Sequence, residues 1–332
     1  MPVLNPRFAR SRARKPAPVS VGAGFLALDW LLVGKNPVRS TKRSAGGSFG
    51  NVMAILAYLG WKSFPVARLG TDTYAQSLLD DLVEFKVQTD FIQRAGKGAT
   101  PVIIVRVAEA PDGTQRSRFE WRHPTSGERL PSHRPYPRFL AQRVAEDLPE
   151  ANVFYFDRAE PGSLWLATEM KRRGAVVFFE PSSYKNERIF TACMSVSDIV
   201  KYSADRIAEP PRNPDCPSPR LEIQTLGAQG LRFRLKDGLH QPGPWRTLPA
   251  FPVANLKDAT GCGDWCSAGL IHQLGNTSHS GFLRLREASI VEGLRVGQAL
   301  AAINCAFEGA RGPMYALSSD EMLAQAKEIL KT

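Results

Sequence analysis

Short apolar runs alternate with stretches of helical periodicity along most of the chain. Val19–Val21 is an apolar run that ends at Gly22 and predicts a strand. In residues 48–59, Val52, Ile55, Leu56 and Leu59 fall on one face at helical spacing, and Gly60 stands where a C-terminal cap is expected. A short strand is predicted near Phe64–Ala67. Asp72 then caps a second helix with the stripe Ala75, Leu78, Leu79, Leu82 and Val83. Further on, the runs Val153–Phe156, Val176–Phe179, Ile199–Val200, Ile223–Leu226 and Leu231–Leu235 are separated by helical segments. That alternation predicts a parallel sheet covered by helices on both faces. From Asp264 onward the chain reads as mainly helical, and no internal repeat is present.

One stretch breaks the alternation. Val102–Val107 and Gln115–Trp121 read as strands around an Asp112-Gly113 turn, so a hairpin at about 101–121 is inserted into the βα pattern. Its Arg116, Arg118 and Arg122 are too polar for a core, which predicts a flap over something else. Residues 122–138, rich in proline and arginine, read as loop, as do residues 209–219 with five prolines.

Composition narrows the classes. With 332 residues and 43% hydrophobic content the chain can bury a full core. No apolar run approaches the roughly 18 residues of a membrane span. Residues 1–17 carry Arg7, Arg10, Arg12, Arg14 and Lys15 with no apolar segment behind them, so they read as a disordered basic arm on a cytoplasmic protein. The arm has no acidic residue, which a transit peptide would also show. Five cysteines (Cys193, Cys216, Cys262, Cys266, Cys305) without framework spacing predict free thiols, and five scattered histidines predict no structural zinc. The net charge of +11 favours anionic ligands, but the basic residues are spread along the chain, so nucleic acid is not the expected partner.

The segment that carries chemistry is Asp258-Ala259-Thr260-Gly261-Cys262-Gly263-Asp264, which opens a helix with Ala268, Ile271 and Leu274 on its apolar face. Such a start presents unpaired N–H groups and the positive end of the helix dipole, a site for a phosphate in transfer. Asp264 at its mouth can take a proton from an attacking hydroxyl. That pairing of donors and carboxylate suits phosphoryl transfer. By itself the pattern also fits an Asp264 that merely caps the helix.

A second segment, Gly46-Gly47-Ser48-Phe49-Gly50-Asn51, leads into the 48–59 helix. Taken together the two segments resemble the signatures of the ribokinase/PfkB carbohydrate kinase family. The first signature stands here as Gly46, Gly47, Asn51, Ala57 and Gly60, the second as Asp258 to Asp264. Gly22 to Asp29, Leu69-Gly70-Thr71-Asp72 and Thr225 to Gly230 are similar to further stretches of the family, so the likeness covers roughly residues 18–330. It implies an α/β fold, a ribokinase-like Rossmann-type three-layer sandwich with a small β lid supplied by the 101–121 hairpin, and one kinase domain over 18–332. The implied activity is ATP-dependent phosphorylation of a sugar or nucleoside hydroxyl. Asp264 would be the base and the backbone of Gly261, Cys262 and Gly263 the anion hole. Asp29, Gly46, Gly47 and Asn51 would hold substrate hydroxyls. Thr225, Gly227 and Gly230 would line the ATP site, Asn304 its adenine side, and Asp258 would lie near the phosphates or a monovalent cation. A homodimer through the lid is implied as well.

The likeness has gaps. Cys262 replaces a usual alanine, Cys266 a phenylalanine and Trp265 a smaller residue. A cysteine at a helix N-terminus favours thiolate, so Cys262 is either a small filler or an oxidation-sensitive brake. Ser203 and Arg206 stand where the family has the Asn and Glu that organise Mg²⁺, so either Asp205 or Glu209 is a candidate metal ligand in their place or Arg206 contacts phosphate directly. On the lid, Phe119 and Trp121 beside Arg118 and Arg122 could meet a nucleobase, a sugar face or an acidic group, or a second subunit. Two rival readings remain. Gly22-x-Gly24-x-x-Ala27 is a weak dinucleotide fingerprint, with Lys42-Arg43 where its acid would stand. A catalytically weak kinase-fold protein acting as a ligand sensor or scaffold is the other.

Overall fold

The computed structural model describes residues 16–33, 41–94, 99–109, 115–238 and 241–332. Residues 1–15 of the basic arm and the Asp112-Gly113 turn lie outside these. The strands are β1 (Val19–Ala23), β2 (Ala27–Val33), β3 (Thr41–Gly46), β4 (Lys62–Leu69), β5 (Ile92–Arg94), β6 (Val102–Glu109), β7 (Gln115–Glu120), β8 (Val153–Phe156), β9 (Val176–Phe179), β10 (Ile199–Ser203), β11 (Leu221–Thr225), β12 (Leu231–Asp237), β13 (Gln241–Pro242) and β14 (Arg246–Leu248). The helices are α1 (Gly47–Tyr58), α2 (Thr73–Glu84), α3 (Arg138–Ala145), α4 (Pro161–Arg172), α5 (Glu187–Val196), α6 (Cys262–Leu274), α7 (His279–Leu283), α8 (Glu287–Asn304) and α9 (Ser319–Ile329).

The main sheet runs β13-β12-β11-β10-β9-β8-β1-β4-β5, with β14 on β12. From β5 to β11 every pairing is parallel. Period-2 alternation then gives the sheet two buried faces. Tyr155, Phe178, Ile199 and Ile223 enter one core with α1, α6 and α8, while Val21, Phe154, Phe156, Val177 and Phe179 enter the other with α3, α4 and α5. The result is three layers, α/β/α.

Leu231–Leu235, expected as one more parallel strand, runs antiparallel to β11 instead. Only five residues join the two, and Leu226 N–H closes the turn on the Gly230 carbonyl at 2.8 Å. A parallel crossover needs a dozen residues or more.

The 101–121 hairpin is present as β6 and β7, but it is half of a larger unit. A four-stranded sheet forms in the order β3-β2-β6-β7. One face of β2 and β6 buries Leu28, Trp30, Leu32, Val102 and Ile104 in the large core, and the other carries Ala27, Asp29, Leu31, Ile103 and Val105. That alternation is what presents Asp29 to a cleft. It also removes the dinucleotide reading, because β1 is followed by a turn and β2 where that motif needs a helix. Among the described residues no helix is long and apolar enough to cross a membrane.

Candidate active site

The carboxyl ends of β1, β8, β9 and β10, the β2 face and the start of α6 converge on one place. At its centre α6 begins with Gly261 as N-cap, at φ 78°, with no side-chain cap. A Cβ here would lie 2.3 Å from the Ala310 carbonyl oxygen, so only glycine allows both the left-handed turn and the close approach. Asp264 is in the first turn but does not cap the helix. Its Oδ2 accepts a hydrogen bond from Asn51 Nδ2 at 2.7 Å. The capping alternative is thereby excluded.

Of the three loop amides, Cys262 N–H is turned back to the Ala259 carbonyl at 3.3 Å. Those of Gly261 and Gly263 make no backbone hydrogen bond among the described residues, which leaves them as the donors available to an anion. Asp258 braces the loop from behind. Its Oδ1 accepts from Thr260 N–H and its Oδ2 from Gly309 N–H, each at 2.9 Å. Asn304, fully buried, donates to the Thr260 carbonyl at 2.8 Å. Trp265, also fully buried, donates its Nε1–H to the Ala310 carbonyl at 3.0 Å.

Beneath Asp264 lies a charge network that the sequence reading missed. Lys201, 2% exposed, pairs with Glu180 Oε1 and donates to the Gly263 carbonyl at 3.0 Å. The other Glu180 oxygen accepts from Tyr155 Oη at 2.9 Å and from Ser267 Oγ. Burial pushes the Asp264 carboxyl up to about 7, and the nearby Glu180 charge adds to the rise; the Asn51 bond and the cations Lys201 and Arg206 oppose it. Burial works against the Lys201 charge, but the Glu180 carboxylate outweighs it and holds that pKa above its ordinary value.

The neighbouring cleft is lined by Asp29, Lys42, Asn51, Thr260, Arg311 and Tyr315, among others. Gly46 lies against Asp29 so closely that a Cβ would sit 2.0 Å from the carboxyl. Burial pushes Asp29 up to about 7, opposed by Arg311 and the Gly47 N–H. Arg311, 3% exposed, was not singled out by the sequence. It bonds Asp81 Oδ2 at 2.5 Å and the Ala45 carbonyl, while Tyr315 Oη donates to Asp81 Oδ1 at 2.6 Å. Three buried atoms among these residues have no partner: Asp29 Oδ1, Asn51 Oδ1 and Arg311 Nη1. Two acceptors and a donor left open around a cleft suit a polar ligand with several hydroxyls.

The remaining candidates are more dispersed. Thr225 pairs with Ser203 across β11 and β10, so Thr225, Gly227 and Gly230 flank the turn that carries Arg206. Asp205 and Glu209 are exposed past β10. Among the described residues no three His, Cys, Asp or Glu side chains form a metal cluster. Arg118, Phe119, Trp121 and Arg122 line a hollow that shares no lining residue with the Asp29 cleft. The missed residues did leave a signal: Lys201 interrupts an apolar run, and Glu180 follows the run Val176–Phe179 directly.

Residues 28–124 match the model of the pfkB family carbohydrate kinases. That region holds Asp29, Gly46, Gly47 and Asn51 and stops before the 258–264 loop. A search of curated proteins finds no match. Among solved structures, ribokinase from Giardia lamblia is similar at a TM-score of 0.71 and 17% identity, over 95% of this chain and 99% of that one. Fructokinase with bound ATP from Xylella fastidiosa gives 0.70 and 20%, over 93% and 98%. Aminoimidazole riboside kinase from Salmonella enterica, complexed with aminoimidazole riboside and an ATP analog, gives 0.66 and 18%, over 92% and 99%. The chain thus has the ribokinase fold over nearly its whole length, and its likeness to the ribokinase/PfkB carbohydrate kinase family rests on that fold together with the family-model match at residues 28–124.

Proposed function

We propose that this protein is an ATP-dependent kinase that phosphorylates a hydroxyl of a sugar or nucleoside. The observation that carries the reading is Asp264: a buried carboxyl pushed up to about 7, oriented by Asn51, at the N-terminus of α6. A base with a pKa near the working pH balances being ionised against being basic enough to take a proton. The substrate hydroxyl gives its proton to Asp264 while its oxygen forms the new bond to the γ-phosphorus. The bond between that phosphorus and the bridging oxygen breaks, and ADP leaves with the electron pair. The Gly261 and Gly263 amides and the helix dipole stabilise the charge on the transferring group.

The solved kinases that carry ATP or an ATP analog support ATP as the donor here. Thr225, Gly227, Gly230 and Asn304 are our candidates for its site. On the acceptor side, Asp29 and Asn51 accept hydrogen bonds from hydroxyls and Arg311 gives a hydrogen bond to a hydroxyl oxygen, with Gly46 and Gly47 allowing close approach. Arg311 is balanced by Asp81 and Asp29, which favours a neutral polyol over an acid. Mg²⁺ would accompany ATP, but the exposed Asp205 and Glu209 form no site by themselves. The four-stranded sheet serves as the lid of a single kinase domain over 18–332. Exposed Phe119 and Trp121 on and beside β7 support an association edge there.

The test is ADP release with Mg-ATP over a panel of sugars, sugar acids, sugar phosphates and nucleosides, run beside Asp264→Asn. We expect turnover with a neutral polyol and a loss of about a thousandfold in the variant. Measurable ATP binding with no turnover on any compound would favour the sensor reading, to which the altered stretch at Ser203 and Arg206 points.

A further inference from the structure

Two of the five thiols meet at the start of α6. Cys262 is the first residue of α6, and Cys305 follows α8 directly. The helices pack with Gly269 against Gly297, where a Cβ on the first would lie 2.6 Å from the Cα of the second. This brings the two sulfurs to 3.2 Å. Both residues are partly accessible, whereas Cys193 and Cys266 are buried. Cys216, the other accessible cysteine, lies on the proline-rich 209–219 loop.

We propose that Cys262 and Cys305 form a redox modification site, which peroxide oxidises to an intramolecular disulfide that disables the catalytic loop. The two sulfurs share a hydrogen bond in which either thiol can donate, and that bond lowers the pKa of Cys305 and raises that of Cys262. Cys305 is therefore the first nucleophile. Its thiolate attacks one peroxide oxygen, the O–O bond breaks, and hydroxide leaves to become water, giving a sulfenic acid on Cys305. Cys262 then loses its proton and attacks that sulfur. The S–S bond forms, the S–O bond breaks, and a second water leaves. Two thiols lose two electrons and one peroxide gains them.

The consequence for the loop follows from distance. A disulfide needs its sulfurs at about 2.05 Å, well inside their present separation of 3.2 Å. The Cys262 backbone lies between the two amides assigned to the phosphate, and Gly261 is already pressed against Ala310. Asn304, next to Cys305, holds the Thr260 carbonyl of the same loop. Closing the bond pulls the α6 start toward the α8 end and moves the Gly261 and Gly263 amides off the transferring group. The effect on turnover rests on the kinase reading; the disulfide does not.

The full-length protein is treated with hydrogen peroxide, alkylated, digested without reductant and mapped by mass spectrometry. We expect a peptide linking Cys262 to Cys305, with Cys216 recovered unpaired. Turnover should fall tenfold or more and return with dithiothreitol. Cys305→Ser should keep its basal turnover and lose both the link and the peroxide sensitivity. Absence of the link in oxidised protein, or a link with unchanged turnover in an active enzyme, overturns the proposal. If no substrate is found, the linked peptide still decides whether the site exists.

Discussion

The two sides of the cleft are built alike and finished differently. Each has a buried aspartate pushed up to about 7, Asp264 on one side and Asp29 on the other. Each has a buried ion pair beneath it, Lys201 with Glu180 and Arg311 with Asp81. On the Asp264 side both Glu180 oxygens and the Lys201 ammonium have partners, and one of them is the loop itself through the Gly263 carbonyl. On the Asp29 side one oxygen of Asp29 and one nitrogen of Arg311 are buried without any. A satisfied network fixes geometry and gains nothing from a ligand. An unsatisfied one carries a desolvation cost that a ligand of the right pattern relieves. In the proposed function the first side is arranged for chemistry and the second for recognition.

Breaking the satisfied side should have the larger effect. Lys201→Met leaves Glu180 buried without its cation, a loss of about 3–5 kcal/mol of stability. It also removes a positive charge from Asp264, so the carboxyl rises above 7 and the acid limb of the kcat/KM profile moves to higher pH. We expect turnover at pH 7 to fall about tenfold or more. Lys201→Met with Glu180→Gln removes both charges and should recover much of the stability and move the limb back. A double variant no better than the single one would show that Lys201 acts only through its bond to Gly263.

The open side should respond in binding. Arg311→Lys keeps a cation near Asp81 but loses the planar fork that bonds Asp81 and Ala45 and leaves Nη1 for a ligand. One hydrogen bond to a substrate hydroxyl is worth about 1–1.5 kcal/mol, or roughly tenfold in KM with kcat little changed. An equal fall in kcat with unchanged KM would place Arg311 on the chemical side and dissolve the contrast.

The same division shows in what the sequence reveals. Asp264, Asn51 and the glycines were legible because each stands in a short glycine-rich segment that opens a helix, although Asn51 and Asp264 meet only across the fold. Lys201 and Glu180 were not, since each takes its meaning from a neighbouring strand; a lysine inside an apolar run signals that a partner exists without naming it. β3 was missed for a related reason. Its sequence, Thr-Lys-Arg-Ser-Ala-Gly, has no apolar alternation, and it is a strand because β2 supplies the ladder. The reversal at β12 was written in the shortness of the turn to Gly230, a length that excludes a parallel return. The centre of the sheet was the most readable part, because β8 and β9, buried on both faces, are uninterrupted runs of apolar and aromatic residues.

The smallest effect tests whether the two aspartates share one physical cause. Each has a folded-state pKa of about 7 against a reference of 3.8, so each binds its proton more tightly in the folded protein than in the unfolded chain. Stability from such a group is fully present below the unfolded value and is lost as pH rises through the folded one. Asp29→Asn has no proton to lose. Its Tm should therefore gain on the parent's between about pH 4 and 7 and then run parallel to it, reaching an advantage of a few degrees at pH 8. Asp264→Asn should give a curve of the same shape. A Tm for Asp29→Asn that falls below the parent's at pH 8 would mean that the charge of Asp29 is worth more to Arg311 than its burial costs, and the open side would then be held together by an ion pair of its own.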